Sequence, residues 1–281
     1  MLQEIRPLTP AEFGQFRDLV ENEVGIHLSS VKQALVNARL LSRIRELGLG
    51  TFSEYYERVV RSPQDELVRC INAICTNETK FFREPAQFEF LRGNLATLWR
   101  RQADNGERGR RIRVWSSACS SGEEPYSLAM TLLSVLPKDW SLEVLASDIS
   151  TKVLERAVAA VYPMQRLADI PSEHHKPYLL RGTGSRSGTF RMGPSLRSTV
   201  RFQRENLVTS NFTPLGHFDL ILCRNVLMYF KPETRREVVL RLTRQLVPGG
   251  HFFVGHSESL HGLELGLDTL APTIYRQRAG A

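Results

Sequence analysis

Apolar residues recur at helical spacing over the first quarter of the chain and in short strand-like runs after it. Thr9-Pro10-Ala11-Glu12 reads as a helix start, with Thr9 as N-cap, Pro10 at the first helical position and Glu12 closing a capping box. Gly25 is placed to end that helix. A second helix is predicted from Ser30 to Leu47, with Val36, Leu40, Ile44 and Leu47 on its apolar face and Gly48 stopping it. A third spans about 52–61, and Ser62-Pro63-Gln64-Asp65 starts a fourth that runs through Ile74. Four short helices on short loops read as a compact bundle.

From about residue 84 the pattern changes. A helix from Pro85 to Arg101 leads to a charged, Gly-containing linker over 104–110. Then Ile112–Trp115 reads as a strand, Gly122 as a turn, and about Glu124 to Leu136 as a helix. Leu142–Ala146 is the next strand, ending at Asp148, and Ser150 caps a helix to about Ala159. Phe218–Cys223 is a strand and Pro232–Leu246 a helix. Gly249-Gly250 is a turn, His251–Gly255 a strand, and Thr273–Arg276 closes the pattern. Alternating strands and helices predict a doubly wound α/β sheet. The stretch 162–205 breaks the alternation and reads as a small antiparallel insertion containing Thr189–Met192 and Val200–Phe202. The expected organisation is a helical domain over 1–76, an interdomain segment over 77–90, and the α/β domain over 91–281 carrying that insertion.

Composition narrows the classes. At 281 residues, 42% hydrophobic and 24% charged, the chain is an ordinary globular protein of one large or two modest domains. No apolar run reaches the ~18 residues of a membrane helix, and MLQEIRPLTP lacks the order of a secretory signal, so a cytoplasmic protein is expected. The formal charge is +7, but the first 80 residues carry 10 basic against 11 acidic side chains, so the excess reads as a diffuse solvated surface. Cys70, Cys75, Cys119 and Cys223 form no CxxC pair and no HExxH occurs; free thiols and no metal are expected.

Candidate chemistry sits at the strand ends, where open α/β sheets bind ligands. The first strand runs into Ser116-Ser117-Ala118-Cys119-Ser120-Ser121-Gly122-Glu123-Glu124. Small residues such as Ala118 let the backbone approach a ligand, and Gly122 can take a positive φ. Asp148, 26 residues beyond Gly122, can hold the two hydroxyls of an adenosine ribose; it can also be a plain helix cap. No GxGxxG or GxxxxGK[ST] is present to cradle phosphate. Glu123 and Glu124 repel a phosphate and suit a cationic ligand. S-adenosylmethionine, with adenosine, sulfonium and amino group, fits better than a dinucleotide.

Five runs then carry a resemblance. These are TNETKFFRE (76–84), WSSACSSGEEPYS (115–127), Ala146-Ser147-Asp148-Ile149, CRNVLMYF (223–230) and Gly255-His256-Ser257-Glu258-Ser259. In order and spacing the chain resembles the chemotaxis receptor methyltransferases, the CheR family, from about residue 8 to 278. The resemblance implies a class I methyltransferase domain behind an all-α domain, with a small antiparallel β-subdomain inserted. It implies S-adenosylmethionine as donor and S-adenosylhomocysteine as product, with Asn77, Thr79, Arg83, Ala118, Glu124, Asp148, Asn206, Leu207, Asn225 and Val226 as donor contacts. Glu123 shares Glu124's candidacy for the donor's charged end. Arg83 and Tyr229 match the residues nearest the reacting methyl.

The implied reaction is O-methylation of glutamates on cytoplasmic helices of chemoreceptors, by an enzyme recruited to membrane receptor arrays. A receptor C-terminal peptide docking on the β-subdomain by strand addition is a further implied partner. Lys32, Arg39 and Arg43, spaced by seven and four, form a basic stripe on the second helix that suits an acidic receptor helix. Two other readings compete: a methyltransferase for RNA, motivated by the arginines of 100–113, and a non-catalytic adaptor. No aromatic-interleaved basic surface supports nucleic acid, and no direct membrane insertion is expected. A monomer is expected, since no heptad seam appears.

Overall fold

The computed structural model describes residues 5–62 and 65–278. The helical domain comprises α1 (Pro10–Val24), α2 (Gln33–Glu46), α3 (Phe52–Arg61) and α4 (Glu66–Ile74). The capping box at α1 forms as expected: Glu12 N–H donates to Thr9 Oγ1 and Thr9 N–H donates to the Glu12 carboxylate. Gly25 closes α1 in the left-handed region, φ 73°. The second helix begins with a 3-10 turn over Ser30–Lys32 before α2 proper. Pro63 and Gln64, part of the expected start of the fourth helix, lie outside the described residues. Phe16, Val20, Val36, Leu40, Ile44, Phe52, Tyr55 and Ile71 form one buried core.

The expected helix from Pro85 is α5 (Pro85–Phe90) and α6 (Ala96–Asp104), joined by a π-helical turn over Leu91–Leu95 that contains Gly93. Leu91, Leu95 and Trp99 remain buried along one side, so the helical path continues through the wide turn. The α/β domain then runs β1 (Arg111–Ser116), α7 (Glu123–Val135), β2 (Ser141–Asp148) and α8 (Thr151–Ala159). An excursion follows through β3 (Val161–Pro163), α9 (His175–Tyr178), β4 (Leu179–Arg181), β5 (Thr189–Met192) and α10 (Pro194–Thr199). The chain returns through β6 (Val200–Arg204), β7 (Phe218–Cys223), α11 (Pro232–Thr243), β8 (Leu246–Val254), β9 (Leu267–Ala271) and β10 (Ile274–Gln277).

The large sheet has the order β6-β2-β1-β7-β8-β10-β9. Its first five strands are parallel, and β10 and β9 close one edge antiparallel. From β1 the order runs outward through β2 to β6; from β7 it runs the other way, so the switch point falls between β1 and β7. Both faces are covered, which explains why all six residues of β7 are buried. Ile112, Val114, Leu220 and Leu222 pack with Leu128, Leu132 and Trp99. The alternate residues Trp115, Ile221 and Cys223 pack with Val238, Val239 and Leu242.

Three readings change. Val200–Phe202 does not belong to the antiparallel insertion: β6 pairs parallel with β2, Val144 opposite Val200 through Asp148 opposite Arg204. The small sheet holds only β3, β5 and β4, in that order. Alternation alone cannot say which sheet a short strand joins. Gly249-Gly250 is a bulge inside β8 rather than a turn, and the pairing with β7 shifts register there. Strand β9 is not expected from the sequence, because Asp268-Thr269 interrupts its apolar residues at a sheet edge, where Thr269 and Leu270 are exposed.

Candidate active site

One cavity opens at the carboxyl ends of β1, β2, β6 and β7 and is roofed by the helical domain. The roof is Val24, Ile26, Leu28, Lys32 and Val36. Main-chain bonds tie it down: Ile26 bridges antiparallel to Phe230, and His27 N–H donates to Tyr229 O at 2.7 Å. Asn206 Nδ2 donates to Glu23 O at 2.8 Å. Gly25 makes this approach possible, since a Cβ there would stand 2.6 Å from Val208 Cγ2.

Asp148, at the end of β2, is 8% exposed and faces the cavity. Its Oδ2 accepts from Ser120 N–H at 2.8 Å and its Oδ1 from Ser150 N–H at 3.0 Å. Burial raises its carboxyl above the ordinary range, and these backbone donors oppose the rise. Ser150 thus enters its helix without a side-chain cap; the capping role at this corner belongs to Asp148.

The two candidate glutamates separate. Glu124 lines the cavity, accepts from Ser116 Oγ at 2.6 Å and pairs with Arg224 at 2.9 Å. Burial raises its carboxyl, and Arg224 restrains the rise. Glu123 is 3% exposed, does not line the cavity and accepts from Ser121 Oγ at 2.7 Å. Its burial likewise raises its carboxyl. Gly122 makes the turn at φ 96°, and a Cβ there would lie 2.9 Å from both Ala157 Cβ and Tyr162 Oη.

The segment between α4 and α5 forms the third wall through Asn77, Thr79 and Arg83. It is pinned by Ser120 Oγ donating to Asn77 O at 3.0 Å and by Phe82 N–H donating to Ser127 Oγ at 3.0 Å. Phe82, Glu84, Ser120 and Asn225 all take positive φ, at 49°, 63°, 48° and 57°. Such non-glycine strain clusters where a site over-determines its backbone. Opposite stand Ala118, Asn206, Leu207, Asn225, Val226 and Tyr229. The side chains of Asn206 and Asn225 are engaged with protein, on Glu23 O and Glu84 Oε1 respectively. Lys32 Nζ lies 5.1 Å above the Tyr229 ring.

Apart from Glu123, every residue that the sequence nominates for the donor or the reacting methyl therefore reaches one cavity, and Lys32 joins them. Arg39 and Arg43 do not. Arg43 makes a bidentate pair with Glu66 at 2.8 Å, a further contact to Glu46 at 2.8 Å, and keeps 17% of its side chain exposed. Arg39 donates to Ile74 O and to Thr76 Oγ1. The stripe is real as spacing, but two of its three charges hold the bundle and the domain junction. Spacing along one helix cannot reveal a carboxylate on another. The nominations also missed Arg224, whose position inside the CRNVLMYF run was its only signal. Among the described residues no cluster suited to a metal ion occurs and no helix is long and apolar enough to cross a membrane.

A largely parallel sheet with its cavity at the switch point and the Asp148 and Glu124 carboxylates lining that cavity is the architecture of a class I S-adenosylmethionine-dependent methyltransferase. The all-alpha domain model of the CheR methyltransferases matches residues 11–75, and their SAM binding domain model matches 77–275. The chain is 40% identical over 269 residues to chemotaxis protein methyltransferase 2 of Pseudomonas aeruginosa, covering 95% of this chain and 93% of that protein. It is 37% identical over 273 residues to the chemotaxis protein methyltransferase of Escherichia coli, covering 95% and 91%. It is 33% identical over 274 residues to that of Borreliella burgdorferi, covering 96% and 95%. The chain belongs to the CheR methyltransferase family.

Proposed function

We propose that this protein methylates glutamate side chains on cytoplasmic helices of chemoreceptors, giving glutamate methyl esters and S-adenosylhomocysteine. The carrying observation is the lining of the cavity. Asp148 offers a carboxylate fixed by two backbone donors for the ribose hydroxyls. Glu124 offers one for the donor's ammonium, and Arg83 and Tyr229 border the same space. Ala118 and Leu207 supply backbone and apolar contact. Asn206 and Asn225, whose side chains are engaged elsewhere, contribute through main chain and shape.

When bound, S-adenosylmethionine supplies a methyl group on a sulfonium; a glutamate oxygen takes that methyl while the sulfur keeps the bonding pair. No proton moves, because glutamate is already ionised at neutral pH. The described lining residues include no histidine, which suits an acceptor that needs no general base. Arg83 and Tyr229 orient the carboxylate, and alignment supplies much of the acceleration. Lys32, at the roof beside Tyr229, draws the acidic acceptor inward.

The β4 edge supports the second docking mode. It ends the small sheet, and Leu180 is 51% exposed. Gly182 turns the 182–188 hairpin, its N–H donating to Thr189 O at 2.9 Å. An extended receptor peptide could pair along this edge. Peptide mapping by mass spectrometry of a receptor cytoplasmic fragment after incubation with donor and enzyme tests the reading. Methyl esters on glutamates are expected; methylation confined to other side chains, or to RNA, would overturn it.

A further inference from the structure

Arg224 is the least exposed charged group at the site, with 1% of its side chain reached by solvent. It is not among the residues assigned to donor or acceptor, yet three elements meet on it. Its Nη1 pairs with Glu124 Oε2 at 2.9 Å. Its Nη2 pairs with Glu84 Oε2 at 3.1 Å and donates to Arg83 O. Its guanidinium lies 5.7 Å from the centroid of Phe88 in α5. Glu84 is itself held, accepting at Oε1 from His256 N–H at 3.0 Å and Asn225 Nδ2 at 3.3 Å.

We propose that Arg224 is a positioning residue that couples the two halves of the methyl-transfer site, aiming the Glu124 carboxylate at the donor while fixing the turn that presents Arg83 to the acceptor. This rests on the methyltransferase reading above. The geometry is specific to arginine. One planar fork reaches two carboxylates and a carbonyl at once, which a lysine ammonium cannot reproduce. The turn it grips needs holding, because Phe82 and Glu84 both sit at positive φ. A lost grip at Arg83 O frees that turn to relax toward ordinary backbone and withdraws Arg83.

The groups facing Glu124 are few. Arg224 comes from the end of β7, Ser116 from the end of β1 and Glu84 from the interdomain segment. The Cys119 and Cys223 thiols lie nearby, and burial keeps both neutral. Arg224 is the only cation among these groups, so its removal leaves Glu124 beside another carboxylate in a buried place.

The test measures donor affinity by calorimetry from pH 5.5 to 9, and kcat on receptor fragments, for wild type, Arg224→Lys and Arg224→Gln. In Arg224→Gln the acid limb of donor binding is expected to move up by at least about one pH unit, a tenfold weaker affinity at a fixed pH on that limb. Arg224→Lys is expected to keep the limb near its wild-type place but lose at least about tenfold in kcat, as the Arg83 carbonyl loses its donor. A merely structural role would lower the melting temperature without moving the limb. Unchanged limbs in Arg224→Gln, or Arg224→Lys with kcat within twofold of wild type, would overturn the proposal. If Arg224→Gln does not fold, Arg224→Lys decides alone. A wild type that binds no donor would instead overturn the underlying reading.

Discussion

At Asp148 a buried carboxylate is kept useful by two backbone N–H groups, one from the turn after β1 and one from the start of α8. Asp148→Asn turns one accepting oxygen into a donor that faces a donor, and leaving a buried group unmatched costs about 1–3 kcal/mol. Donor affinity measured by calorimetry is expected to fall at least about tenfold; a Kd within twofold of wild type would contradict the role. Both Asp148 and Glu124 have carboxyls raised by burial and act ionised. Donor affinity is therefore full above those raised values and declines as pH falls through them. Tyr229→Phe retains the ring under Lys32 and removes only the hydroxyl. It is expected to leave donor affinity unchanged and to lower kcat; full activity would limit Tyr229 to packing. Lys32→Met is expected to raise the receptor KM with donor affinity spared.

Helix ends and strand ends carried most of what could be read beforehand. The Thr9 capping box, the Gly25 stop and the β7 run, apolar except for Asp219, are local signals, and the structure keeps all three. The misread elements depend on partners far away in sequence: β6 chose the large sheet by pairing with β2, and the Gly249-Gly250 bulge exists only against β7. Gly25 shows an element boundary acquiring a second duty. Gly25→Ala puts a side chain in the left-handed region, a cost of about 1–2 kcal/mol, and drives it against Val208. Denaturant unfolding is expected to show that loss, and donor affinity to weaken as the roof lifts from Phe230. An unchanged midpoint and affinity would show that the roof does not depend on this contact.

At the scale of the whole molecule, each domain has its own core, and the site lies where they meet. The helical domain is held partly by carboxylates tuned for neutral pH. Glu66, gripped by Arg43, and Glu12, gripped by Arg6 and Ser53, both sit below their ordinary value of 4.5. A depressed folded-state value stabilises at pH above the unfolded value and loses that contribution as pH falls through the folded one. Acidification below about 4.5 is therefore expected to destabilise this domain progressively, and Glu66→Gln to flatten that dependence in thermal melts. The pairings behind this were not legible in sequence: Arg43 and Glu66 lie on different helices, and Arg224 reaches Glu124 100 residues away. The walls were legible at Asn77, Thr79, Arg83, Ala118, Glu124, Asp148, Asn225, Val226 and Tyr229 because these sit in the runs that carry the family resemblance; the roof from Val24 to Val36, apart from Lys32, was not, because it reaches the cavity only by packing of one domain on the other.

The central claim is that this cavity transfers a methyl group to a receptor carboxylate. The most direct measurement incubates the protein with methyl-labelled S-adenosylmethionine and chemoreceptor-containing membranes, then treats the labelled receptor with mild alkali. Label on the receptor that alkali releases, and that Asp148→Asn greatly reduces, is the predicted result. Alkali-stable label on the receptor, or donor binding with no transfer to any chemoreceptor supplied, would contradict it.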